Sequence, residues 1–234
     1  MIQAHQVAVV VPIYKQQPSE NDLISLRQNT DILSGYDLVI VAPEGLDLSA
    51  YLDLYPNFKV HRFAPQFFDG IPGYNRLMLS AGFYAAFSAY AYILICQTDA
   101  YVFRDELLDW CNKGYDYIGA PFLVPMPITT NRPLIVNISR WLVDRVGNGG
   151  LSLRRVRTHL WATRYLGWLT RRFPKNEDIF WCYYPYRRPS CSEALHFAFD
   201  LAPRKAFALT QGKLPFGCHA WQRHDPEFWA QYIP

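Results

Sequence analysis

The chain has 234 residues, of which 50% are hydrophobic, and a formal net charge of +3. A chain of this length and composition can bury a sizeable core in one domain, which excludes a largely disordered protein. The modest charge does not indicate a nucleic-acid-binding protein. Aromatic residues make up 16% of the chain, and we expect some of them to line a cleft for flat polar ligands such as sugars and nucleobases.

The cysteine pattern and the length of the apolar runs indicate the cellular compartment of the protein. Five cysteines occur without a CxxC pair, which favours free thiols in a reducing cytosol over a disulfide framework or a zinc site. The N-terminus lacks a basic segment followed by a cleavable apolar stretch, and no apolar run reaches the roughly 18 residues of a membrane span. We therefore expect a cytoplasmic protein that contacts a membrane at most peripherally.

The first part of the chain alternates between short apolar runs and helical patterns. Residues 7 to 13 are mainly β-branched, which is typical of a strand buried on both faces of a parallel sheet. The other predicted elements are a helix over 21–33 with Ser19 and Asn21 as cap candidates, strands over 36–42 and 58–63, a helix over 75–89 and a strand over 92–96. This alternation predicts an α/β fold with a doubly wound, mostly parallel central sheet flanked by helices.

The second part of the chain is less regular. Residues 121 to 137 are rich in proline and predict a loop, and a short helix is predicted over 140–146. Residues 151 to 173 interleave apolar residues with arginine, which predicts a basic amphipathic helix that ends at Pro174. No acidic residue lies between Asp144 and Glu177. This window is therefore a local cationic patch, although a solvated helix face is the alternative interpretation.

The end of the strand predicted over 92–96 carries Gln97, Thr98 and Asp99. Ligands of open α/β sheets bind at the carboxyl ends of the strands. The chain has neither a GxGxxG after the first strand nor a GxxxxGK[ST] motif, so phosphates would be held by a metal ion or by Arg and Lys side chains. Asp99 could bridge a divalent ion to a diphosphate, or it could cap the next helix.

Two further groups suit catalysis. Glu177 and Asp178 precede an aromatic run, where apolar neighbours can raise a carboxyl pKa and make a general base. Alternatively, they complement the dipole of a helix capped by Asn176. His219 lies among aromatic residues near the C-terminus, where it could complete a metal site or be an ordinary core histidine.

Four motifs occur in a defined order along the chain. They are Gln-Thr-Asp at 97–99, Gly-Asn-Gly-Gly-Leu-Ser-Leu-Arg at 147–154, Asn-Glu-Asp-Ile-Phe at 176–180 and Pro-Phe-Gly-Cys-His at 215–219. Their order and spacing resemble a family of bacterial glycosyltransferase-like proteins, mostly of unassigned specificity. Residues 73–79 and 110–121 also resemble that family, so the resemblance spans nearly the whole chain. It implies a single GT-A domain over 1–234, in which 1–120 bind the nucleotide-sugar and 121–234 bind the acceptor.

The resemblance also implies a metal site. In the GT-A fold the second Asp of a DxD motif ligates Mn2+ or Mg2+, and Asp99 matches that residue. Gln97 takes the place of the first Asp, and a neutral amide donates less charge to a cation. His219 resembles the C-terminal histidine that completes the metal and diphosphate site.

Catalytic and donor contacts follow from the same resemblance. Glu177 and Asp178 resemble the acidic pair that contacts the acceptor, with Asp178 as the base of an inverting, single in-line displacement. The residues implied near the nucleobase and ribose are Pro12, Tyr14 and Glu44, and those near the diphosphate and donor sugar are Asn75, Arg76, Gly149 and Gly150. Core or capping roles are the alternative for each of these donor residues.

The implied reaction is hexosyl transfer from a UDP-, GDP- or dTDP-sugar to a glycan or lipid-linked acceptor in bacterial surface polysaccharide or lipopolysaccharide synthesis. No nucleic-acid partner is expected, and the basic segment over 145–175 offers a peripheral contact with the inner face of the membrane. The substitution at Gln97 leaves a non-catalytic glycan- or nucleotide-binding module as an alternative. A nucleotidyltransferase, which would release pyrophosphate, is a further alternative.

Overall fold

The computed structural model describes residues 1–125, 141–170 and 176–234. The strands in these ranges are β1 Val7–Pro12, β2 Asp37–Pro43, β3 Lys59–Phe63, β4 Tyr92–Cys96, β5 Ala100–Val102, β6 Tyr117–Ile118, β7 Leu151–Arg155, β8 Ala198–Phe199 and β9 Gly217–His219. The α-helices are α1 Glu20–Ile32, α2 Ser49–Leu52, α3 Gly70–Met78, α4 Ala81–Ala86, α5 Leu107–Asn112, α6 Val156–Tyr165, α7 Gly167–Thr170, α8 Glu177–Tyr183, α9 Cys191–Phe197, α10 Pro203–Leu209 and α11 Pro226–Trp229.

A six-stranded sheet with the order β3-β2-β1-β4-β7-β6 forms the centre of the fold. The strands β3, β2, β1 and β4 run parallel, whereas β7 is antiparallel to both β4 and β6. Every residue of β1 and β4 is buried, as expected for central strands with helices on both faces. The α/β fold with a mostly parallel central sheet is therefore confirmed.

The first predicted helix agrees with the structure, and its cap is Ser19. The Ser19 hydroxyl accepts a hydrogen bond from the Asp22 amide at 3.2 Å, while the Ser19 amide donates to the Asp22 carboxylate at 2.9 Å. This reciprocal capping box satisfies two free amides at the start of α1. Asn21 lies inside the helix, so its proposed role as a cap is wrong.

Two predicted helices differ from the observed ones. The helix predicted over 75–89 is interrupted at Ser80, whose hydroxyl caps α4 by accepting from the Phe83 amide at 3.2 Å. The helix predicted over 151–173 is wrong at its start, because Leu151–Arg155 pair with β4 as the antiparallel strand β7. Residues 126–137 of the Pro-rich loop, Arg140 and the end at Pro174 lie outside the described residues, whereas residues 142–144 form a turn where the helix over 140–146 is predicted.

A small second sheet stands at the carboxyl end of β4. Its order is β5-β9-β8, with β5 antiparallel and β8 parallel to β9. Ala100 is the register partner of His219, and the Ala220 amide donates to the Asp99 carbonyl at 2.9 Å. The C-terminal part of the chain is thereby held beside the residues that follow β4.

Candidate functional site

The residues after β4 meet the histidine at the end of β9. The ring nitrogen Nε2 of His219 lies 3.2 Å from Asp99 Oδ1 and 3.1 Å from Gln97 Oε1. Asp99 is buried, and it lies at the point between β1 and β4 where the strand order reverses, which is the usual ligand position in such sheets. The structure thus brings together three residues that lie far apart in the sequence.

A second carboxylate lies on the other side of the His219 ring. Asp200, which follows β8, places Oδ1 3.5 Å from Nδ1 of His219 and 3.6 Å from Nε2 of His224. The Asn148 amide donates a hydrogen bond to Asp200 Oδ2. Burial opposes a charge on His219, but its interactions with the Asp200 and Asp99 carboxylates outweigh this effect and raise its pKa to about 10. The two carboxylates therefore favour the protonated form of the His219 ring, and a metal ion at Nε2 would have to displace that proton.

The two glycines after Asn148 allow the side chains of Glu177 and His219 to lie close to the backbone of this segment. A Cβ on Gly149 would overlap the Glu177 carboxylate, and a Cβ on Gly150 would overlap the His219 ring. The backbone N–H of Gln97 also donates to the Gly150 carbonyl at 3.0 Å. The two glycines are thus placed between two candidate site residues, and the space that their missing side chains leave is filled by protein. Their contact with a donor sugar stays a prediction.

Glu177 forms a buried ion pair with Arg154. The Arg154 Nη2 atom lies 2.9 Å from Glu177 Oε1, and the two side chains are 0% and 4% exposed. Arg154 also donates to the Tyr84 hydroxyl at 3.0 Å and to the Ser152 hydroxyl at 3.1 Å. Arg154 is therefore not part of a cationic surface, and the prediction that placed it there is wrong. The reason is that β7 turns this side chain toward the carboxylate of α8.

Asp178 is the neighbouring, half-buried carboxyl group. Burial, followed by the Glu177 charge, raises the pKa of Asp178 to about 7, so the group can exchange a proton near neutral pH. Asp178 Oδ1 accepts from the Ile179 amide at 2.7 Å. Asn176 makes no side-chain cap bond to α8; instead Asn75 Oδ1 accepts from the Glu177 amide at 3.2 Å.

The remaining candidates lie along the same edge of the sheet or beside it. Pro12 ends β1 and is buried, whereas Tyr14 and Glu44 follow β1 and β2 and are exposed. Asn75 and Arg76 line a cavity of about 980 Å³ that also borders Arg164 and Asn176. Arg76 donates to the Gln66 carbonyl at 2.9 Å. Ligand contacts of these residues stay predictions.

Sequence reasoning missed several members of this cluster. Asp200 ends a short aromatic run, Phe-Ala-Phe-Asp, and a carboxylate after an apolar strand was the signal that could have identified it. Asn148 stood within the glycine motif but was not singled out. The residues next to His224 and Arg154 in the sequence do not predict their carboxylate partners Asp200 and Glu177, because both partners come from distant parts of the chain.

The chemistry of the donor atoms tests whether a divalent ion fits. No group of three or more His, Cys, Asp or Glu side chains within 1–125, 141–170 and 176–234 has the arrangement of a metal site. However, Asp99 Oδ1 and the neutral Gln97 Oε1 both lie within 3.2 Å of His219 Nε2. Without its proton, Nε2 would join these oxygens in a donor set that Mn2+ accepts, and Asp200 supplies the carboxylate commonly found behind a ligating histidine. The residues therefore fit such an ion.

No helix of the described part of the chain is long and apolar enough to cross a membrane.

Comparison with known proteins identifies chains with a similar fold. A search of curated proteins finds no match. Among solved structures, the galactosyltransferase LgtC in complex with donor and acceptor sugar analogues has a TM-score of 0.55 at 12% identity, over 91% of this chain and 86% of LgtC. The glycosyltransferase GlyE of Streptococcus pneumoniae has a TM-score of 0.54 at 13% identity, over 97% of this chain and 60% of GlyE.

A third neighbour is core-mannan synthase A of Aspergillus fumigatus in its Mn/GDP form, with a TM-score of 0.50 at 10% identity over 76% of this chain. The chain spans 66% of that protein, just under two thirds of its length. Identities this low establish a shared fold and no more. The fold is that of GT-A glycosyltransferases, as the sequence resemblance implied.

The family is shown by a separate match. A family model described as a protein of unknown function, DUF5672, matches residues 57–219. This range is more than half of the chain, and it contains Gln97, Asp99, the glycine segment, the Glu177–Asp178 pair and His219. The chain therefore belongs to the DUF5672 family.

Proposed function

We propose that the chain is a nucleotide-sugar-dependent glycosyltransferase that moves a hexosyl residue from a UDP-, GDP- or dTDP-sugar to a glycan acceptor. The observation that carries this proposal is the convergence of Asp99, His219 and Glu177 around Gly149 and Gly150, at the carboxyl edge of a GT-A sheet. The likeness to LgtC with donor and acceptor sugar analogues supports it. Such an edge is where open α/β sheets bind nucleotides.

Asp99 and His219 would hold Mn2+ or Mg2+, with the Gln97 carbonyl oxygen beside them. A bound ion would neutralise the charge that develops on the nucleoside diphosphate as it leaves. The neutral amide of Gln97 adds no charge to the site, so we expect weaker metal binding than two carboxylates would give. The Mn/GDP form of core-mannan synthase A supports the use of a divalent ion.

Asp178 would act as the general base. Its pKa of about 7 lets the carboxylate accept the proton of an acceptor hydroxyl as that oxygen attacks the anomeric carbon. The bond between the anomeric carbon and the diphosphate oxygen breaks in the same step, which inverts the anomeric configuration. Glu177 is held by Arg154 and Asn75, and it contributes to the raised pKa of Asp178.

The two halves of the chain would divide the substrates between them. Residues 1–120 would bind the nucleotide-sugar, with Pro12, Tyr14 and Glu44 along the nucleobase and ribose. Asn75, Arg76 and the glycine pair would face the diphosphate and sugar, and residues 121–234 would bind the acceptor.

The acceptor would be a glycan or a lipid-linked glycan, in bacterial surface polysaccharide or lipopolysaccharide synthesis on the cytoplasmic side of the membrane. Two arginines support an acceptor that carries phosphate. Arg76 and Arg164 both line the cavity that borders Asn176, one residue before the Glu177–Asp178 pair, and guanidinium groups bind phosphate well. A cavity of about 980 Å³ has room for a sugar and part of its carrier.

A panel of nucleotide sugars tests the proposal. Thermal stability and nucleoside diphosphate release are measured with Mn2+, with Mg2+ and with EDTA, for the wild type, Asp99→Ala and Asp178→Asn. The exposed Asp31 on α1 provides a matched control as Asp31→Asn. We expect one donor to stabilise the wild type and the control and to be hydrolysed, with the metal effect lost in Asp99→Ala and turnover lost in Asp178→Asn.

Three other outcomes reject the proposal. Absence of stabilisation and hydrolysis with every donor excludes a nucleotide-sugar enzyme. Ligand binding without turnover, unchanged in Asp178→Asn, identifies a binding module. Release of pyrophosphate in place of a nucleoside diphosphate identifies a nucleotidyltransferase.

A further inference from the structure

The helix α6 has an unusual distribution of side chains. Its inner face is made of small or polar buried residues, Val156, His159, Ala162 and Thr163. Its outer face, continued by α7, carries large aromatic and cationic residues that recur at helical spacing. This outward-facing set, here called the Trp161 face, comprises Arg157, Trp161, Arg164, Tyr165 and Trp168.

The aromatic members of the Trp161 face are open to solvent. Trp161, Tyr165 and Trp168 are 54%, 62% and 60% exposed, and the rings of Trp161 and Tyr165 lie 5.4 Å apart. Leu169 adds a further exposed apolar side chain. Isolated exposed apolar residues are ordinary, but a contiguous aromatic group on one face marks an interaction surface.

The charge of the face is of one sign. Arg157 and Arg164 are exposed, and neither has an ion-pair partner within 1–125, 141–170 and 176–234. No acidic residue occurs from Arg145 to Asn176, and the helix α4, which packs against α6, contains no charged residue. The Trp161 face therefore complements a negatively charged surface.

This combination fits a lipid surface better than a second copy of the chain. Tryptophan and tyrosine are enriched where a bilayer meets water, and arginine is attracted to anionic headgroups. In a two-fold symmetric dimer the same patch would face itself, which would bring Arg157 and Arg164 against their own copies without an acidic partner on α4 or α6. We propose that the Trp161 face docks onto the surface of an anionic phospholipid bilayer.

Docking through this face would also bring the cavity that borders Asn176 close to the bilayer surface. Arg164 of the Trp161 face lines that cavity. Thr163, Gly167 and Thr170 from the same two helices line it as well. A molecule that leaves the bilayer surface along α6 and α7 would therefore reach the cavity directly. The docking itself does not depend on the proposed transferase reaction, so the two can fail separately.

Vesicle cosedimentation tests the proposal. Wild-type protein is mixed with vesicles of phosphatidylglycerol and phosphatidylcholine, or of phosphatidylcholine alone. We expect binding to the anionic vesicles that weakens as salt is raised. Arg157→Ser/Arg164→Ser should bind more than about tenfold more weakly, since each cation near an anionic surface is worth roughly a factor of five. Trp161→Ser/Trp168→Ser should lose at least about tenfold as well.

Control variants separate docking from general effects. Arg27→Ser/Leu209→Ser removes an exposed cation and an exposed apolar side chain elsewhere and should bind as the wild type does. Arg157→Lys/Arg164→Lys keeps the charge and should retain binding. Thermal midpoints identify any variant that has lost its fold, and all the substituted side chains are exposed.

The proposal is overturned by any of four results. These are absence of wild-type binding to anionic vesicles, equal binding to phosphatidylcholine alone, unchanged binding of the tryptophan variant, and an equal loss in the Arg27→Ser/Leu209→Ser control. A concentration-dependent dimer in sedimentation velocity that Trp161→Ser/Trp168→Ser dissociates would assign the face to a second copy instead.

Discussion

Removing either member of the buried Arg154–Glu177 pair is expected to destabilise the protein strongly. Both side chains are almost fully excluded from water, so solvent cannot replace the lost partner, and an uncompensated buried charge costs about 3–5 kcal/mol. Glu177→Gln should fall near the lower end of that range. The Arg154 guanidinium keeps the Ser152 and Tyr84 hydroxyls as acceptors, and the new amide oxygen can accept a hydrogen bond.

Arg154→Met should fall near the upper end. It leaves the Glu177 carboxylate buried beside Asp178, and Glu177 Oε2 has no hydrogen-bond partner in the described part of the chain. The double variant Arg154→Met/Glu177→Gln removes both charges, so its loss should be smaller than the sum of the single losses by about 2–3 kcal/mol.

Urea unfolding followed by circular dichroism measures these losses as changes in the free energy of unfolding. The Lys113–Glu193 pair serves as the control, because its side chains are 43% and 31% exposed. Lys113→Met should therefore cost about 1 kcal/mol or less. Single losses below about 1 kcal/mol at Arg154 and Glu177, or strict additivity in the double variant, would refute the interpretation of a tightly coupled buried pair.

Three further predictions concern the candidate site. The pKa of Asp178 is about 7, and the base must be unprotonated, so kcat/KM should rise with pH through about 7. Arg154 lowers the pKa of Asp178, so Arg154→Met should move the midpoint of this rise to higher pH. A flat pH profile contradicts both expectations. Asp178→Asn should reduce kcat at least about 100-fold while the thermal shift caused by the donor is retained, so a lost shift would assign Asp178 to binding. Gly150→Ala should displace His219, abolish stabilisation by Mn2+ and lower the free energy of unfolding by about 1–3 kcal/mol. In the control Gly82→Ala nothing lies within 4 Å of the added Cβ, so Mn2+ stabilisation and the free energy of unfolding should stay unchanged.

The agreement between sequence and structure is greatest where local pattern decides the outcome. The continuous apolar runs over 7–13 and 92–96 correspond to β1 and β4 because parallel strands buried on both faces consist mainly of apolar residues. Ser19 caps the start of the α1 helix, since a hydroxyl followed by an acidic residue three positions later closes a capping box.

The helix predicted over 151–173 shows where local pattern fails. Leu151–Arg155 have the apolar and cationic composition of a helix, but the exposed edge of β4 offers backbone partners along its whole length. Pairing with that edge gives each residue of Leu151–Arg155 a register partner on β4, and it outweighs a weak helical preference. The register of β7 then directs the Arg154 side chain toward Glu177. This contact cannot be predicted from the residues that neighbour Arg154 in the sequence.

The sequence by itself determined the α/β class, the positions of the first four strands along the chain and the motifs that carry the resemblance, because these depend on neighbouring residues and on spacing along the chain. Only the tertiary structure decided that Asp200 stands behind His219, that Arg154 is a buried counterion and that the outer face of α6 is aromatic. Each of these depends on which distant segments pack together. Charges and rings brought close by such packing change the pKa, burial and exposure of one another, and those properties are set by distance in space.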